Sequence, residues 1–268
     1  MKIALYHSGQ DHSLDVANDL KQLLLNENFE IDDVNPDIVI TIGGDGTLLS
    51  AVHKYRALMN KVRFVGVHTG HLGFYTDWRD YELEKLVAAL KEDHGEEVGY
   101  PLLEIAVQYE GEKKPVIYNA VNESTLKKIS GTLVADVYIG GVLFERFRGD
   151  GLCVSTPTGS TAYNRSVGGA IVHPRLKVLQ MAEIASINNR VFRTVGASLI
   201  LAPNEKITII PVAQGTVNFT SDREDTVGRV IKQVEYRIAK EEVHFAKYRH
   251  TGFWNRVQNA FIGKDNEV

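Results

Sequence analysis

Asp37-Ile38-Val39-Ile40-Thr41-Ile42-Gly43-Gly44-Asp45-Gly46-Thr47-Leu48-Leu49 is the stretch that decides the fold. Asp37 to Ile42 reads as a short buried strand, Gly43 to Gly46 as the turn that ends it, and Leu48, Leu49 and Val52 as one face of a following helix. The flanking sequence repeats this unit. Lys2 to His7 reads as a strand, and Val16, Leu20, Leu23 and Leu24 mark a helical face with Ser13 near its start as a cap. Arg63 to Val67 is a third strand, and Leu83, Leu86, Val87 and Leu90 give a third helix by their i, i+3, i+4, i+7 spacing. Alternating strands and helices predict an α/β N-terminal domain with an open, mainly parallel sheet.

The pattern changes after Gly99-Tyr100-Pro101. Leu103, Ile105, Val107 and Tyr109 alternate with Glu104, Ala106 and Gln108, the period of a strand with one solvated face. Tyr138 to Phe144 reads as a hairpin whose Gly140-Gly141 turn supplies positive φ at both central positions. Further strands are expected at Lys206–Ile210, Thr216–Phe219, Val230–Ile238 and Val243–Tyr248, and Phe253 to Phe261 carries apolar residues at helical spacing. The expected division is an α/β domain over 1–100, a β-rich domain over 101–250 and a closing helix over 251–268.

Composition sets outer bounds. The chain has 268 residues, 44% hydrophobic and 24% charged, which is the profile of a globular protein rather than a disordered or fibrous one. A net charge of −4 offers no general attraction to nucleic acid or to an anionic membrane. With one cysteine, Cys153, no intrachain disulfide forms and no Cys-based zinc site exists. That usage fits a reducing compartment, so the cytoplasm is expected. The N-terminal apolar run is too short for a signal peptide, and no run approaches the ~20 residues that span a bilayer.

Gly43-Gly44-Asp45-Gly46-Thr47 is also where chemistry is expected. Glycines there let a phosphate approach the main chain, and the helix N-terminus offers unpaired N–H groups with partial positive charge. No Lys-Ser or Lys-Thr pair follows, which excludes a P-loop, and Leu49 stands where a dinucleotide fingerprint needs its third glycine. Asp45 is the informative residue, because a carboxylate in an anion-binding turn repels phosphate unless it has a task. It either helps hold a divalent cation on polyphosphate oxygens or accepts the proton of an attacking hydroxyl. The plain alternative is that it caps the helix, worth about 0.5–2 kcal/mol.

Three further clusters combine polar groups with turns. Asn122-Glu123 closes the apolar stretch Val116 to Val121, and an adjacent amide and carboxylate suit paired ribose hydroxyls or a purine edge; an ordinary polar turn is the alternative. Arg148-Gly149-Asp150-Gly151 pairs a phosphate-binding guanidinium with a carboxylate, or is an exposed ion pair worth ~0–1 kcal/mol. Ser155 to Gly169 concentrates hydroxyls beside glycine and proline, as in a loop around a polar ligand with Tyr163 as an aromatic wall; composition alone makes it a turn-rich loop. His68 and His71 have a metal-ligand spacing but no third ligand nearby, so a loop role is expected. Cys153 reads as a small core residue, Phe253, Trp254 and Phe261 as core or interface, and Lys247 to His250 as a solvated face.

In this order, these four clusters resemble the NAD kinase family from Gly43 to about Arg193. The Gly-Gly-Asp-Gly-Thr turn also occurs in lipid kinases, whereas Leu72-Gly73-Phe74, Asn122-Glu123-Ser124 and Gly149-Asp150-Gly151 through Tyr163 point to NAD kinases. The resemblance implies phosphoryl transfer from ATP to the 2′-hydroxyl of the adenosine ribose of NAD, making NADP, with inorganic polyphosphate a donor for some bacterial members. A divalent metal ion, Mg²⁺ by expectation, accompanies the donor. By position Asp45 is the proton acceptor, Gly46 and Phe74 neighbour the nucleotide, and Asn122 and Glu123 contact substrate or its metal. Arg148, Asp150, Thr158, Thr161, Ala162, Tyr163, Asn164, Arg165 and Ser166 line the NAD site. Ala185 and Ile187 lie by the nicotinamide side, at a subunit boundary in the family, which forms dimers or tetramers. The last helix is implied to return to the first domain. The chain departs from the family pattern at His68, where Asn is common, and at Arg223, where many members have glycine; Arg223 is read as an added phosphate or carboxamide contact. Two rival functions are a diacylglycerol-type lipid kinase, which needs an apolar acyl cleft, and a non-catalytic NAD-binding sensor, which does not need Asp45.

Overall fold

Ile38–Ile42 is a strand with all five side chains buried, and it lies inside a parallel sheet. This computed structural model describes residues 1–70, 73–212, 216–226, 228–249 and 251–263; His71, Leu72 and His250, named above, lie outside them. Contacts divide the chain into two units, one of Met1–Tyr100 with the described residues from Glu242 onward, the other of Pro101–Glu241.

In the first unit Lys2–His7 lies between Glu30–Ile31 and Ile38–Ile42, and Ile38–Ile42 pairs on its other side with Arg63–His68, all parallel. His244 and Phe245 extend this sheet by pairing parallel with Arg63 and Phe64. Parallel neighbours need crossovers, and the helices Asp11–Asn26, Asp45–Lys54 and Leu83–Lys91 belong to those connections. Their apolar faces meet the sheet in a core that includes Leu20, Leu24, Ile38, Ile40, Val65, Leu86 and Leu90. Each such side chain contributes roughly 1.5–3 kcal/mol by leaving water. Ser13, expected as a cap, instead lies inside its helix and is fully buried. Its hydroxyl is shared with Ser8 at 2.8 Å and Thr69 at 3.0 Å, so tertiary partners took the group that a cap would have used. The closing helix is Phe253–Phe261.

The second unit is antiparallel. One sheet runs in the order Leu199–Leu201, Leu179–Ile184, Gly151–Ser155, Glu123–Lys127, Asn218–Ser221, Glu224–Thr226. Elsewhere Val142–Gly149, Leu133–Ile139, Ile207–Pro211 and the start of Ile231–Ala246 pair in succession, and Glu97–Tyr109 forms a hairpin with Val116–Ala120. Alternation does what period two predicts: Leu103, Ile105, Val107 and Tyr109 are buried while Glu104, Ala106 and Gln108 are half-exposed. Gly140 and Gly141 sit at φ 58° and 85°, the twist that a two-residue hairpin requires. The strands expected at Val230–Ile238 and Val243–Tyr248 are a single strand, Ile231–Ala246. Nothing in Ala239-Lys240-Glu241-Glu242 breaks an extended chain, and Ala239 is buried within it. Residues 242–249, read from sequence as part of the second domain, lie with the first unit because His244 and Phe245 pair with its sheet.

Candidate active site

Gly44 is the N-cap of the helix Asp45–Lys54, so Asp45 is its first helical residue rather than its cap. The carboxylate turns instead to the loop after the strand Arg63–His68. Phe74 N–H donates to Asp45 Oδ2 at 2.9 Å and Tyr75 N–H to Oδ1 at 3.1 Å. Gly73 is required beside it, since a β-carbon there would run into Asp45 Oδ1. Burial raises the Asp45 pKa, and the two N–H bonds and the charge of Arg256 pull against that rise. The capping alternative therefore fails: this carboxylate is oriented by tertiary contacts and has no salt-bridge partner among the described residues. Gly46 is the next helical residue, its carbonyl accepting from Ser50 at 3.0 Å, and Phe74 packs its ring 5.6 Å from Phe261.

The second unit gathers most of the other expected residues. Asn122 immediately precedes the strand Glu123–Lys127, which Glu123 begins, and the carboxylate of Asp222 accepts from the N–H of Val121, Asn122 and Glu123 at 2.8, 2.8 and 3.3 Å. The Asn122 carbonyl accepts from Thr156 N–H at 2.9 Å, and Gly159 lies so close that a β-carbon would strike that same carbonyl. Glu123 also accepts the N–H of Tyr163, which brings the hydroxyl-rich loop onto the Asn-Glu pair. Burial first, and then the Asp222 charge, push the Glu123 carboxyl up to about 8.

Within that loop Thr158 to Thr161 form a 3-10 turn and Tyr163 to Ser166 a single helical turn. Glu123 Oε2, Ser155 Oγ, Thr158 Oγ1 and both amide atoms of Asn164 are buried without a hydrogen-bond partner among the described residues. Buried polar atoms are rarely left so, and those of Ser155, Thr158 and Asn164 belong to one loop. Tyr163 is exposed beneath Lys127, whose ammonium lies 5.0 Å from the ring centroid. Thr161 and Ser166 donate their hydroxyls to the carbonyls of Thr158 and Tyr163, and Ala162 and Arg165 close the turn through Arg165 N–H to Ala162 O.

A neighbouring group joins Arg148, Ala185 and Ile187. Ile187 N–H donates to the Arg148 carbonyl at 2.8 Å, and Gly149 packs against the Ala185 backbone, which holds φ 46°. The Arg148 guanidinium stacks 4.1 Å above Phe192. Asp150 bonds through its main chain to Lys128 and Ile184, leaving its side chain exposed. Arg223 is exposed in the two-residue turn between Ser221 and Glu224. His68 is buried, with Nδ1 3.0 Å from the Gly70 carbonyl. Cys153 is fully buried.

Residues 6–94 match the ATP-NAD kinase N-terminal domain and residues 116–247 the ATP-NAD kinase C-terminal domain. Over 270 aligned residues the chain is 67% identical to the NAD kinase of Pediococcus pentosaceus, covering all of both. The chain belongs to the NAD kinase family. It is 55% identical to the NAD kinase of Lacticaseibacillus paracasei over 98% of this chain and 99% of that one. Its fold is that of yeast NADH kinase solved with NADH, at TM-score 0.84 and 19% identity over 100% of this chain and 89% of the other. It is also that of an Archaeoglobus fulgidus NAD kinase solved with ATP, at TM-score 0.72 and 21% identity over 98% of each chain.

As an NAD kinase family member the chain is an enzyme that phosphorylates NAD, and the lipid-kinase and sensor alternatives fall away. Kinases of this family work with a divalent metal. Among the described residues no three His, Cys, Asp or Glu side chains gather as a metal cage. Thr156 and Gly73 fall inside stretches that the sequence singles out, Ser155 to Gly169 and Leu72-Gly73-Phe74, but nothing local assigns Tyr75 or the Asp222 carboxylate its task, because their partners lie 30 and about 100 residues away.

Proposed function

We propose that Asp45 accepts the proton of the adenosine ribose 2′-hydroxyl of NAD as the terminal phosphoryl group of ATP is transferred to it. The observation that carries this is the pair of N–H bonds from Phe74 and Tyr75, which orient an otherwise unpaired carboxylate at a glycine-rich helix start. A carboxylate is a poor base for a sugar hydroxyl, so the proton moves late, and Asp45 serves chiefly to orient the nucleophile. Backbone N–H groups of the Gly43–Gly46 turn would receive phosphate oxygens. The divalent cation, Mg²⁺ by the chemistry of ATP, enters with the donor, and polyphosphate is a second candidate donor.

Asn122 and Glu123 would grip ribose hydroxyls, with Thr158, Thr161, Ala162, Tyr163, Asn164, Arg165 and Ser166 around the adenosine. Arg148, Asp150, Ala185 and Ile187 would meet the rest of the dinucleotide, and Arg223 would add a charged contact. The orphaned polar atoms of Glu123, Ser155, Thr158 and Asn164 support this assignment.

A homo-oligomer, dimer or tetramer, goes with this reading. It is supported by exposed Val142, Leu143 and Phe144 on a strand at the edge of its sheet. A cytoplasmic placement is kept from the cysteine usage; among the described residues no helix is long and apolar enough to cross a membrane. The deciding experiment incubates the protein with NAD and MgATP and reads NADP with an NADP-specific dehydrogenase. Formation of NADP that depends on both substrates supports the assignment, and its absence with intact NAD binding refutes it. Light scattering reads the oligomer, which a monomeric mass would exclude.

A further inference from the structure

The last helix reaches the peptide that orients Asp45. Arg256, in the first part of Phe253–Phe261, is buried, with 9% of its surface exposed. Its guanidinium donates from Nη1 to the Phe74 carbonyl, from Nη2 to Asp77 Oδ1 at 2.5 Å, and from Nε to the Thr251 carbonyl at 3.0 Å. The Phe74 carbonyl and the Tyr75 N–H are opposite edges of one planar peptide unit. One edge is held by Arg256 while the other donates to Asp45 Oδ1 at 3.1 Å. Turning that peptide over would remove the N–H from Asp45 and break the Arg256 bond together. Asp77 is fixed in turn by its own N–H to the Gly66 carbonyl at 3.2 Å and by Thr251 N–H at 3.3 Å, so the guanidinium is braced against the sheet. Phe261, at the end of the same helix, packs on the Phe74 ring.

We propose that Arg256 is a positioning residue for phosphoryl transfer, holding the Phe74–Tyr75 peptide so that its N–H stays aimed at Asp45. This rests on Asp45 as the proton acceptor. The planar fork of a guanidinium suits Arg256, where lysine would not serve, to hold a carbonyl and a carboxylate at once. Its charge also favours the ionised form of Asp45, against the effect of burial.

The test compares Arg256→Gln, Arg256→Lys and Asp45→Asn in the full chain with NAD and MgATP. A misaligned acceptor costs about 10²-fold in rate, so Arg256→Gln is expected to lower kcat on that order. The KM for NAD is expected to hold within about threefold, since the Asn122–Glu123 pair and the loop from Ser155 to Gly169 are untouched. The acid limb of the kcat profile is expected to move to higher pH, because a positive charge has left the carboxylate. Arg256→Lys is expected to return the acid limb towards its native position while kcat stays low, because the fork is gone. Unchanged kcat, or a fall in kcat and thermal stability with the acid limb unmoved, overturns the positioning role. If Arg256→Gln does not fold, Asp77→Asn loosens the same guanidinium; lower kcat at unchanged KM supports the proposal and native kcat overturns it. Asp45→Asn separates the two readings. Normal turnover in that variant removes Asp45 from the mechanism, whereas an inactive Asp45→Asn beside native-like Arg256 variants removes only Arg256.

Discussion

Asp222 Oδ1 accepts the N–H of Asn122 at 2.8 Å, across one hundred positions of sequence. The same carboxylate takes the N–H groups of Val121 and Glu123, so three consecutive peptides lean on one side chain at the start of a strand. Asp222 itself sits at φ 48° in its turn, a conformation that its contacts must hold in place.

Removing that support is expected to be costly. Asp222→Ala strands three N–H groups that bonded a charged acceptor, and such bonds are worth about 1.5–3 kcal/mol. The expected result in urea denaturation is a loss on that scale. The KM for NAD is expected to rise about tenfold because Asn122 and Glu123 lose their alignment.

Glu123 gives stability a pH dependence of definite sign. Its folded pKa is about 8 against an ordinary 4.5, so the folded protein holds a proton that the unfolded chain releases. The stabilisation is complete below about pH 4.5 and is lost as pH rises through about 8. Glu123→Gln, an isostere of the protonated form, is expected to flatten denaturation midpoints between those limits. A native-like slope in that variant would assign the effect elsewhere.

Asp45→Asn keeps shape and loses the acceptor charge. Turnover is expected to fall ~10²–10⁴-fold with NAD affinity within an order of magnitude, read by single-turnover kinetics and by calorimetry.

Two glycines separate activity from stability. Gly73→Ala drives a β-carbon into the movable carboxylate of Asp45, so kcat is expected to drop about 10²-fold with little change in Tm. Gly159→Ala drives one into the Asn122 main chain, which yields less readily, and is expected to cost about 1–3 kcal/mol of stability.

Cys153 is fully buried, and burial pushes its thiol pKa well above the ordinary value. Ellman's reagent is expected to label it only after denaturant is added; rapid labelling of the native protein would contradict its place in the core.

Much of this architecture was legible because it is local. Period two in Leu103 to Tyr109, helical spacing in Leu83 to Leu90, and two glycines between Ile139 and Val142 each follow from a few neighbouring residues. Where a partner lay far away, local signs misled. Ser13 looks like a cap but is claimed by Ser8 and Thr69, and Val230 to Tyr248 looks like two strands but runs on as one.

The sequence by itself determined the two-part α/β and β-rich plan and the glycine-rich turn, and it singled out Asp45 within that turn. Only the tertiary structure decided what that carboxylate faces. Its orientation comes from the N–H groups of Phe74 and Tyr75, and the Phe74–Tyr75 peptide is held in turn by Arg256 some 180 residues further on. Hydrogen bonds act through space, and no periodicity in the chain announces a donor that far away.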